Sequence, residues 1–289
     1  MSLTSMIEAQ LSRNFVIFHP SDFSPASEVA FGHALKIALQ SKAKLDIMHV
    51  ETHPDPAKQY WLDFPAVRAT LTRWGILPEG VRRSDVIKAG LRVRKIFASG
   101  ADPVATMLRH FRKFPPGLIV LATHQRGGID RWLHKAVAEP LARRSGAMTL
   151  FVPRKRRGFV SLKDGSVALK RILVPFDHDP HPQTALSKAL LLARGLDCAV
   201  GEFLLVHVGS RSSAPVVDLP RRSGWSYETT VKHGHVVDEI LKIERSWRPD
   251  LMVLATRGHL DFVDALRGST TERVLRGAQC PVLAVPAPE

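Results

Sequence analysis

Short apolar runs alternate along the chain with segments of helical periodicity. Runs such as Phe15–Phe18 and Leu118–Thr123 have the continuous hydrophobicity of strands that are buried on both faces of a parallel sheet. Between them, Ala26–Gln40 places its apolar residues at the spacing of one helix face. Strands and helices that alternate in this way predict right-handed crossovers and a parallel α/β sheet that is covered by helices on both faces.

The predicted elements follow one order in both halves of the chain. In the first half, the predicted strands are Phe15–Phe18, Leu45–Val50, Arg92–Ala98, Leu118–Thr123 and Met148–Val152, and the predicted helices are Ala26–Gln40, Val104–Phe111 and Arg131–Arg144. In the second half, the predicted strands are Arg171–Phe176, Phe203–Val208, Ser226–Val231, Leu251–Thr256 and Val282–Val285, and the predicted helices are Thr184–Arg194, Val236–Trp247 and Ser269–Arg276. Ligands of such sheets bind beyond the carboxyl ends of the strands.

The two halves are copies of one unit. Leu118–Thr123 reads LIVLAT and Leu251–Thr256 reads LMVLAT, and one constant offset carries the alignment onward without a gap. This offset pairs Leu133 with Leu266, Glu139 with Glu272 and Arg143 with Arg276. A fixed internal repeat of this length indicates a tandem duplication.

Two upstream motifs repeat as well. Pro20-Ser21-Asp22 matches Pro175-Phe176-Asp177, and His49-Val50 matches His207-Val208, although the second copy is about 25 residues shorter in its middle. We therefore predict a first domain at residues 10–153, a basic linker at 154–168 and a second domain at 169–289.

Composition narrows the class of protein. The 289 residues include 41 Lys and Arg against 27 Asp and Glu, a formal net charge of +14. The densest basic run, Arg154–Arg157, is not interleaved with aromatic residues, so the sequence does not favour nucleic-acid binding. No apolar stretch is long enough for a membrane span, no signal peptide is evident, and the two cysteines, Cys198 and Cys280, cannot form a disulfide framework. We expect a cytoplasmic protein with no membrane contact.

A candidate anion site follows the strand Leu251–Thr256. Ser269-x-x-Glu272 has the capping-box pattern, so a helix is expected to begin at Thr270 and to direct its unpaired N–H groups at a bound anion. Gly258 and Gly268 would let the backbone approach that group closely. A capping box and loop glycines also occur in helices that bind nothing, so these residues alone leave both interpretations open.

The same residues resemble the universal stress protein family. Its nucleotide-binding members carry Gly-x2-Gly-x9-Gly-Ser/Thr after the fourth strand, and this chain has Ala255-x2-Gly258-x9-Gly268-Ser269. The family's Pro-x-Asp after the first strand and His-Val at the end of the second strand are matched in both copies. The resemblance spans nearly the whole chain and identifies a tandem, two-domain member.

The resemblance implies a fold, a ligand and site residues. Each copy is expected to be an open five-stranded parallel sheet of order 3-2-1-4-5, as in adenine nucleotide alpha-hydrolase-like proteins. ATP is the implied ligand, with Mg²⁺ accompanying its phosphates; Asp177 would lie by the adenine and ribose, and Val208 would contact the base through its backbone. The implied nucleotide-binding residues are Pro175, Asp177, Val208, Ala255, Gly258, Gly268, Ser269 and Thr270. The resemblance implies no catalytic or metal-ligating residue.

The first copy departs from the nucleotide motif. Gln125 and Lys135 stand where the motif has glycine, Ala136 lacks a hydroxyl, and Pro140 removes one N–H near the helix start. We expect the first copy to pair with the second instead. By resemblance, the last strands of the two domains would form an internal pseudo-dimer contact, and a homodimer is a further option.

Alternatives remain at this point. Asp177 could simply cap the following helix, and the run Asp177–His181, which contains two aspartates and two histidines, could be a solvated loop or a metal site, of which the loop is favoured. The leading function is that of an ATP-binding regulatory protein of the stress response. A slow ATPase and a ligand-free interaction module, whose basic run Arg154–Arg157 would dock an acidic partner, are the alternatives, and the sequence contains no Walker A string.

Overall fold

The computed structural model describes residues 15–80, 82–123, 137–153, 158–219, 223–257 and 270–287. Several residues of the sequence predictions lie outside these ranges. They are Gln125, Lys135, Ala136, the start of the predicted helix Arg131–Arg144, the basic run Arg154–Arg157, Gly258, Gly268 and Ser269.

The described elements alternate between strand and helix. The strands are β1 (Val16–Pro20), β2 (Lys44–Glu51), β3 (Arg92–Ser99), β4 (Leu118–Thr123), β5 (Met148–Pro153), β6 (Arg171–Pro175), β7 (Gly201–Val208), β8 (Trp225–Lys232), β9 (Leu251–Thr256) and β10 (Val282–Pro286). The helices are α1 (Pro25–Ser41), α2 (Val67–Arg73), α3 (Arg83–Lys88), α4 (Pro103–Phe111), α5 (Ala138–Ser145), α6 (Gln183–Gly195), α7 (Val236–Trp247) and α8 (Thr270–Gly277). None of the described helices is long and apolar enough to cross a membrane.

The ten strands of the described residues lie in one sheet of order β3-β2-β1-β4-β5-β10-β9-β6-β7-β8. Within each half the strands are parallel and follow the order 3-2-1-4-5, so the α/β fold class implied by the resemblance is confirmed. The two five-stranded sheets expected from the sequence are continuous, because the last strands of the two halves, β5 and β10, pair antiparallel. The apolar side chains of these strands are buried at this junction, where neither half presents an open edge.

Helices cover both faces of this sheet. On one face, α1 and α6 pack side by side over a single core that runs through both halves. On the other face, α4 and α5 cover the first half, and α7 and α8 cover the second half. The halves thus share one hydrophobic layer and keep a separate layer each.

Local chemistry explains where the longer helices of the first half begin. Ser24 precedes Pro25, and its hydroxyl accepts the Ser27 N–H at 3.2 Å. Asp102 precedes Pro103 in the same way, and its carboxylate accepts the Ala105 N–H at 3.0 Å. A capping side chain followed by proline in the first turn satisfies an open N–H group and presets the helical φ.

The longer middle of the first half contains elements that the periodicity does not predict. A 3-10 turn at Tyr60–Leu62 and the helices α2 and α3 lie between β2 and β3. Both helices have fewer than eight residues, so hydrophobic periodicity cannot mark them. They form because Leu71, Trp74 and neighbouring apolar side chains pack into the shared core.

The described end of the predicted linker packs against the first half. Phe159 and Val160 are buried, and Val160 forms a β-bridge with Val167. His33 of α1 holds this segment: its Nδ1 lies 2.8 Å from the Val29 carbonyl, and its Nε2 accepts the Val160 N–H at 3.2 Å. The neutral imidazole is required for this pair of bonds, because a protonated ring could no longer accept from Val160.

Acidification should therefore destabilise the protein through His33. Burial lowers the pKa of His33 from 6.5 to about 4, against the opposing effect of the Val29 hydrogen bond. Its contribution is complete above pH 6.5 and is lost as the pH falls towards 4, because the unfolded chain takes up the proton first. Between pH 7 and pH 5 we expect this histidine to account for a loss of about 2 kcal/mol in the free energy of unfolding.

Urea unfolding at pH 7 and at pH 5 measures this loss. His33→Gln should show a smaller decline than the wild type, whereas His233→Gln, at an exposed position, should keep the wild-type decline. An equal decline in all three proteins would contradict the assignment.

Candidate functional site

The predicted site residues of the second half converge at the carboxyl ends of β6, β7 and β9. Pro175 ends β6, Asp177 lies two residues beyond it, and Val208 ends β7. Ala255 is the penultimate residue of β9, which pairs in parallel with β6. Since parallel strands end at one edge, the structure brings these four predicted residues together.

Asp177 presents its carboxylate at this edge. Its side chain is 67% exposed and accepts the N–H of His178 at 2.8 Å. The following helix, α6, has Pro182 at its N-cap position and no side-chain cap. The alternative that Asp177 caps this helix is therefore wrong.

His207 ties the ends of two strands together beneath Asp177. The buried ring places Nδ1 3.2 Å from the Phe176 carbonyl and Nε2 3.0 Å from the Ser213 hydroxyl. Because a carbonyl oxygen can only accept, Nδ1 carries the proton and donates it. The side chain thus fixes the backbone that carries Asp177 against the end of β7.

The first half repeats this tether. His49 Nδ1 donates to the Ser21 carbonyl at 2.7 Å, and the repeat aligns Ser21 with Phe176. The His-Val motif was noted from the sequence, but its role was missed. The sequence indicated this role, since both histidines lie near the end of a strand and both aligned carbonyls follow the proline of the Pro-x-Asp motif.

A further contact across the site was not predicted. Arg257, directly after β9, donates to the Asp179 carboxylate at 2.7 Å and links the segments that follow β6 and β9. The two neighbouring histidines bind backbone: His178 Nε2 lies 2.9 Å from the Ser213 carbonyl and His181 Nε2 lies 3.3 Å from the Val216 carbonyl. In the part of the chain that the structure describes, no group of three His, Cys, Asp or Glu side chains is arranged to hold a metal.

Two threonines complete the described part of the site. Thr270 is exposed at the start of α8, where helix N–H groups are available to an anion. Thr256 ends β9 with a buried hydroxyl that has no hydrogen-bond partner among the described residues. Thr256 was not predicted, because its unpartnered hydroxyl is a property of the folded chain. Gly258, Gly268 and Ser269 lie outside the described residues.

Aromatic rings fill the corresponding place in the first half. Phe23, with a positive φ of 60°, stacks on His49 with ring centroids 4.0 Å apart. Phe64 meets Phe23 edge-on at 5.2 Å, and Tyr60 stacks on Phe97 at 4.6 Å. Tyr60 and Phe64 come from the segment that the second half lacks, so the additional residues cover the end of β2.

Asp22, the counterpart of Asp177, has a different task. Its carboxylate accepts the Ser24 N–H at 3.0 Å and so supports the residue that caps α1. Asp22 thus holds the N-cap residue in place and does not itself cap the helix. The two aligned aspartates therefore make different contacts although the motif around them is retained.

Removal of the His207 tether should destabilise the second half. His207→Leu replaces the ring by an apolar side chain of similar volume but leaves the buried Phe176 carbonyl without its donor. We therefore expect the free energy of unfolding to fall by about 2 kcal/mol. The exposed His178→Leu, which removes one hydrogen bond at the surface, should cost less than about 1 kcal/mol. Urea unfolding followed by circular dichroism compares them, and equal losses would contradict the tether.

Comparison with known proteins agrees with this architecture. Universal stress protein MJ0531 of Methanocaldococcus jannaschii is 25% identical over 155 residues, which cover 44% of this chain and 88% of that protein. A crystal structure of a universal stress protein from Archaeoglobus fulgidus superposes with a TM-score of 0.61 at 18% identity, over 94% of this chain and 98% of the other. The functionally unknown protein PA1789 of Pseudomonas aeruginosa superposes with a TM-score of 0.56 at 14% identity, over 97% and 95%.

These structural similarities establish the shared fold. The family itself is shown by its sequence profile, that of the Universal stress protein family, which matches residues 16–153 and 219–286. The first segment spans β1 to β5, and the second spans β8 to β10, so the profile matches the first copy and the later part of the second copy. The chain belongs to the universal stress protein family.

Proposed function

We propose that this protein is an ATP-binding regulatory protein of the stress response, with one nucleotide site in its second half. The observation that carries the proposal is the contrast between two equivalent strand edges. At the edge of the second half, Asp177 is exposed and its backbone is held in place by His207. At the edge of the first half, Asp22 is exposed as well. The difference is that Phe23 stacks on the tethering His49, so aromatic rings occupy the strand ends there.

The residues at the second edge suit an adenine nucleotide. Asp177 would accept hydrogen bonds from ribose hydroxyls, and the backbone of Val208 would contact the base, as the family resemblance implies. The unpartnered Thr256 hydroxyl supplies a further buried polar group at the strand end. Such a group is stabilised when a ligand or its water completes the hydrogen bond.

The phosphates would lie towards the start of α8. We assign them to the loop residues of the motif and to the N–H groups at the helix start, where the helix dipole favours negative charge. Mg²⁺ would accompany the phosphates rather than bind a site of its own. The proposed phosphate-binding residues are Gly258, Gly268, Ser269 and Thr270, and the methyl group of Ala255 would narrow the nucleotide site beside them.

The first half serves in this proposal as the structural partner of the second. The pairing of β5 with β10 would act as an internal pseudo-dimer contact, within domains at residues 10–153 and 169–289 that are joined by the segment 154–168. We assign no catalytic residue, so ATP is treated as a regulatory ligand in the cytoplasm. A bound nucleotide would also stabilise the second half by mass action.

Substitutions in the second half should weaken nucleotide binding selectively. Asp177→Asn removes the charge that accepts from the ribose, and we expect at least tenfold weaker binding. Gly268→Val places a branched side chain where the motif needs close backbone approach, and we expect no measurable binding. Titration of the full chain with a fluorescent ATP analogue and Mg²⁺ measures both affinities.

The first half provides the matched control. Asp22→Asn makes the same chemical change at the aligned position and should leave the affinity within twofold of the wild type. Unchanged affinity in Gly268→Val would overturn the site. Equal losses in Asp22→Asn and Asp177→Asn would overturn its assignment to the second half.

A further inference from the structure

A groove of about 1290 Å³ follows the outer edge of β3. Its walls are α2, α3 and the turn around Trp61, and we call it the edge groove. It lies on the segment that the second half lacks, away from the strand ends that carry the proposed nucleotide site. Nothing in the proposed function uses it.

The edge groove follows a strand whose outer side is open. β3 is the terminal strand of the sheet and pairs with β2 alone among the described strands. Four consecutive residues of β3, Arg92 to Lys95, line the groove. Since consecutive strand side chains point to opposite faces, a groove that contacts all four must run along the backbone edge itself. It therefore borders backbone groups that can pair with an added strand.

The charge of the edge groove is strongly positive. One carboxylate, that of Glu79, stands among its lining residues. The lining cations are Arg68, Arg73, Arg83, Arg92, Arg94 and Lys95. Arg94 is neutralised by the buried Asp46, whose carboxylate it contacts through Nε at 3.0 Å.

Most of the other cations are not neutralised by the protein. Among the described residues, Arg73, Arg83, Arg92 and Lys95 form no ion pair. Burial is the main cause that lowers the pKa of Lys95, and the positive charge of Arg68 lowers it further. An anion that binds there stabilises the charged form of a desolvated cation that lies beside a like charge.

Apolar surface lies between these charges. Trp61 is 58% exposed and Leu62 is 79% exposed, and both lie in the 3-10 turn Tyr60–Leu62. Trp61 stacks on the buried Phe64 with ring centroids 5.4 Å apart, so its orientation is fixed. An exposed, rigid aromatic ring beside a groove is typical of a surface that contacts a partner.

We propose that the edge groove binds an extended acidic peptide segment of a partner protein, which adds a strand to β3. Its backbone would pair with the open edge, its carboxylates would meet the cations, and its apolar side chains would contact Trp61 and Leu62. Single-stranded nucleic acid fits less well. Of the groove's rings, Trp61 alone is exposed, and a nucleic acid cannot form the strand-pairing bonds that the edge offers.

The test uses the full-length protein and a fluorescein-labelled peptide of about twelve residues, rich in Glu and Asp with Leu and Phe at alternate central positions. Fluorescence anisotropy without nucleotide measures its affinity. Arg73→Glu combined with Arg83→Glu, both at exposed positions, should weaken binding at least tenfold, and Trp61→Ala should weaken it at least threefold. Arg245→Glu on the exposed face of α7 makes the same charge change elsewhere and should keep the wild-type affinity within twofold.

A modified peptide separates strand addition from simple charge attraction. N-methylation of alternate backbone amides leaves every charge in place but blocks strand pairing, and should weaken binding at least fivefold. Unchanged affinity for the methylated peptide would overturn the proposal. So would tighter binding of a twelve-nucleotide single strand, or no peptide binding at 1 mM. Thermal unfolding of each variant shows whether the fold is retained, and the single Arg73→Glu variant replaces a double variant that fails to fold.

Discussion

The antiparallel pairing of β5 with β10 is the contact on which the architecture depends. Each half alone would end in an apolar strand whose N–H and C=O groups are unpaired on one side. Such an edge promotes aggregation. The pairing of Leu150 with Leu283 and of their neighbours closes both edges in one step. It also turns the halves in opposite directions, so the carboxyl ends of their strands lie at opposite edges of the sheet. The equivalent strand ends of the two halves therefore face away from each other.

The strand ends of the two halves share the contacts that hold their backbone but differ in the side chains that surround them. His49 and His207 donate to aligned carbonyls, and aligned Glu–Arg pairs span one helical turn in α5 and in α8. These contacts hold the backbone and have survived in both copies. In the first half, the additional segment between β2 and β3 contributes Tyr60 and Phe64, which join the rings that fill the strand ends. The same segment forms the walls of the edge groove.

The repeat explains why so much of the fold could be predicted. Apolar runs and the internal repeat predicted all ten described strands, and the boundaries differ from those in the structure by a few residues; Phe15–Phe18, for example, is Val16–Pro20 in the structure. The order of the strands came from the family resemblance. The short helices α2 and α3 were missed because tertiary packing of Leu71 and Trp74 stabilises them, and no local periodicity reports such packing.

The candidate site was predictable in part for the same reason. Pro175 and Val208 end strands and Asp177 lies just beyond one, so their convergence is a consequence of parallel topology. The pairing of Asp179 with Arg257 joins residues that are distant in sequence, and the ring stack of Phe23 on His49 depends on a positive φ. Both are properties of the folded chain. The loop residues Gly258, Gly268 and Ser269 keep the status of a prediction.

The most direct test of the central claim is the number of nucleotides bound per chain. Calorimetric titration of the full-length, nucleotide-stripped protein with ATP and Mg²⁺ reports this number. The account predicts one site per chain, because the rings of the first half already cover its strand ends. Two sites would contradict the filled first half, and no binding heat at several temperatures would contradict the nucleotide site of the second half.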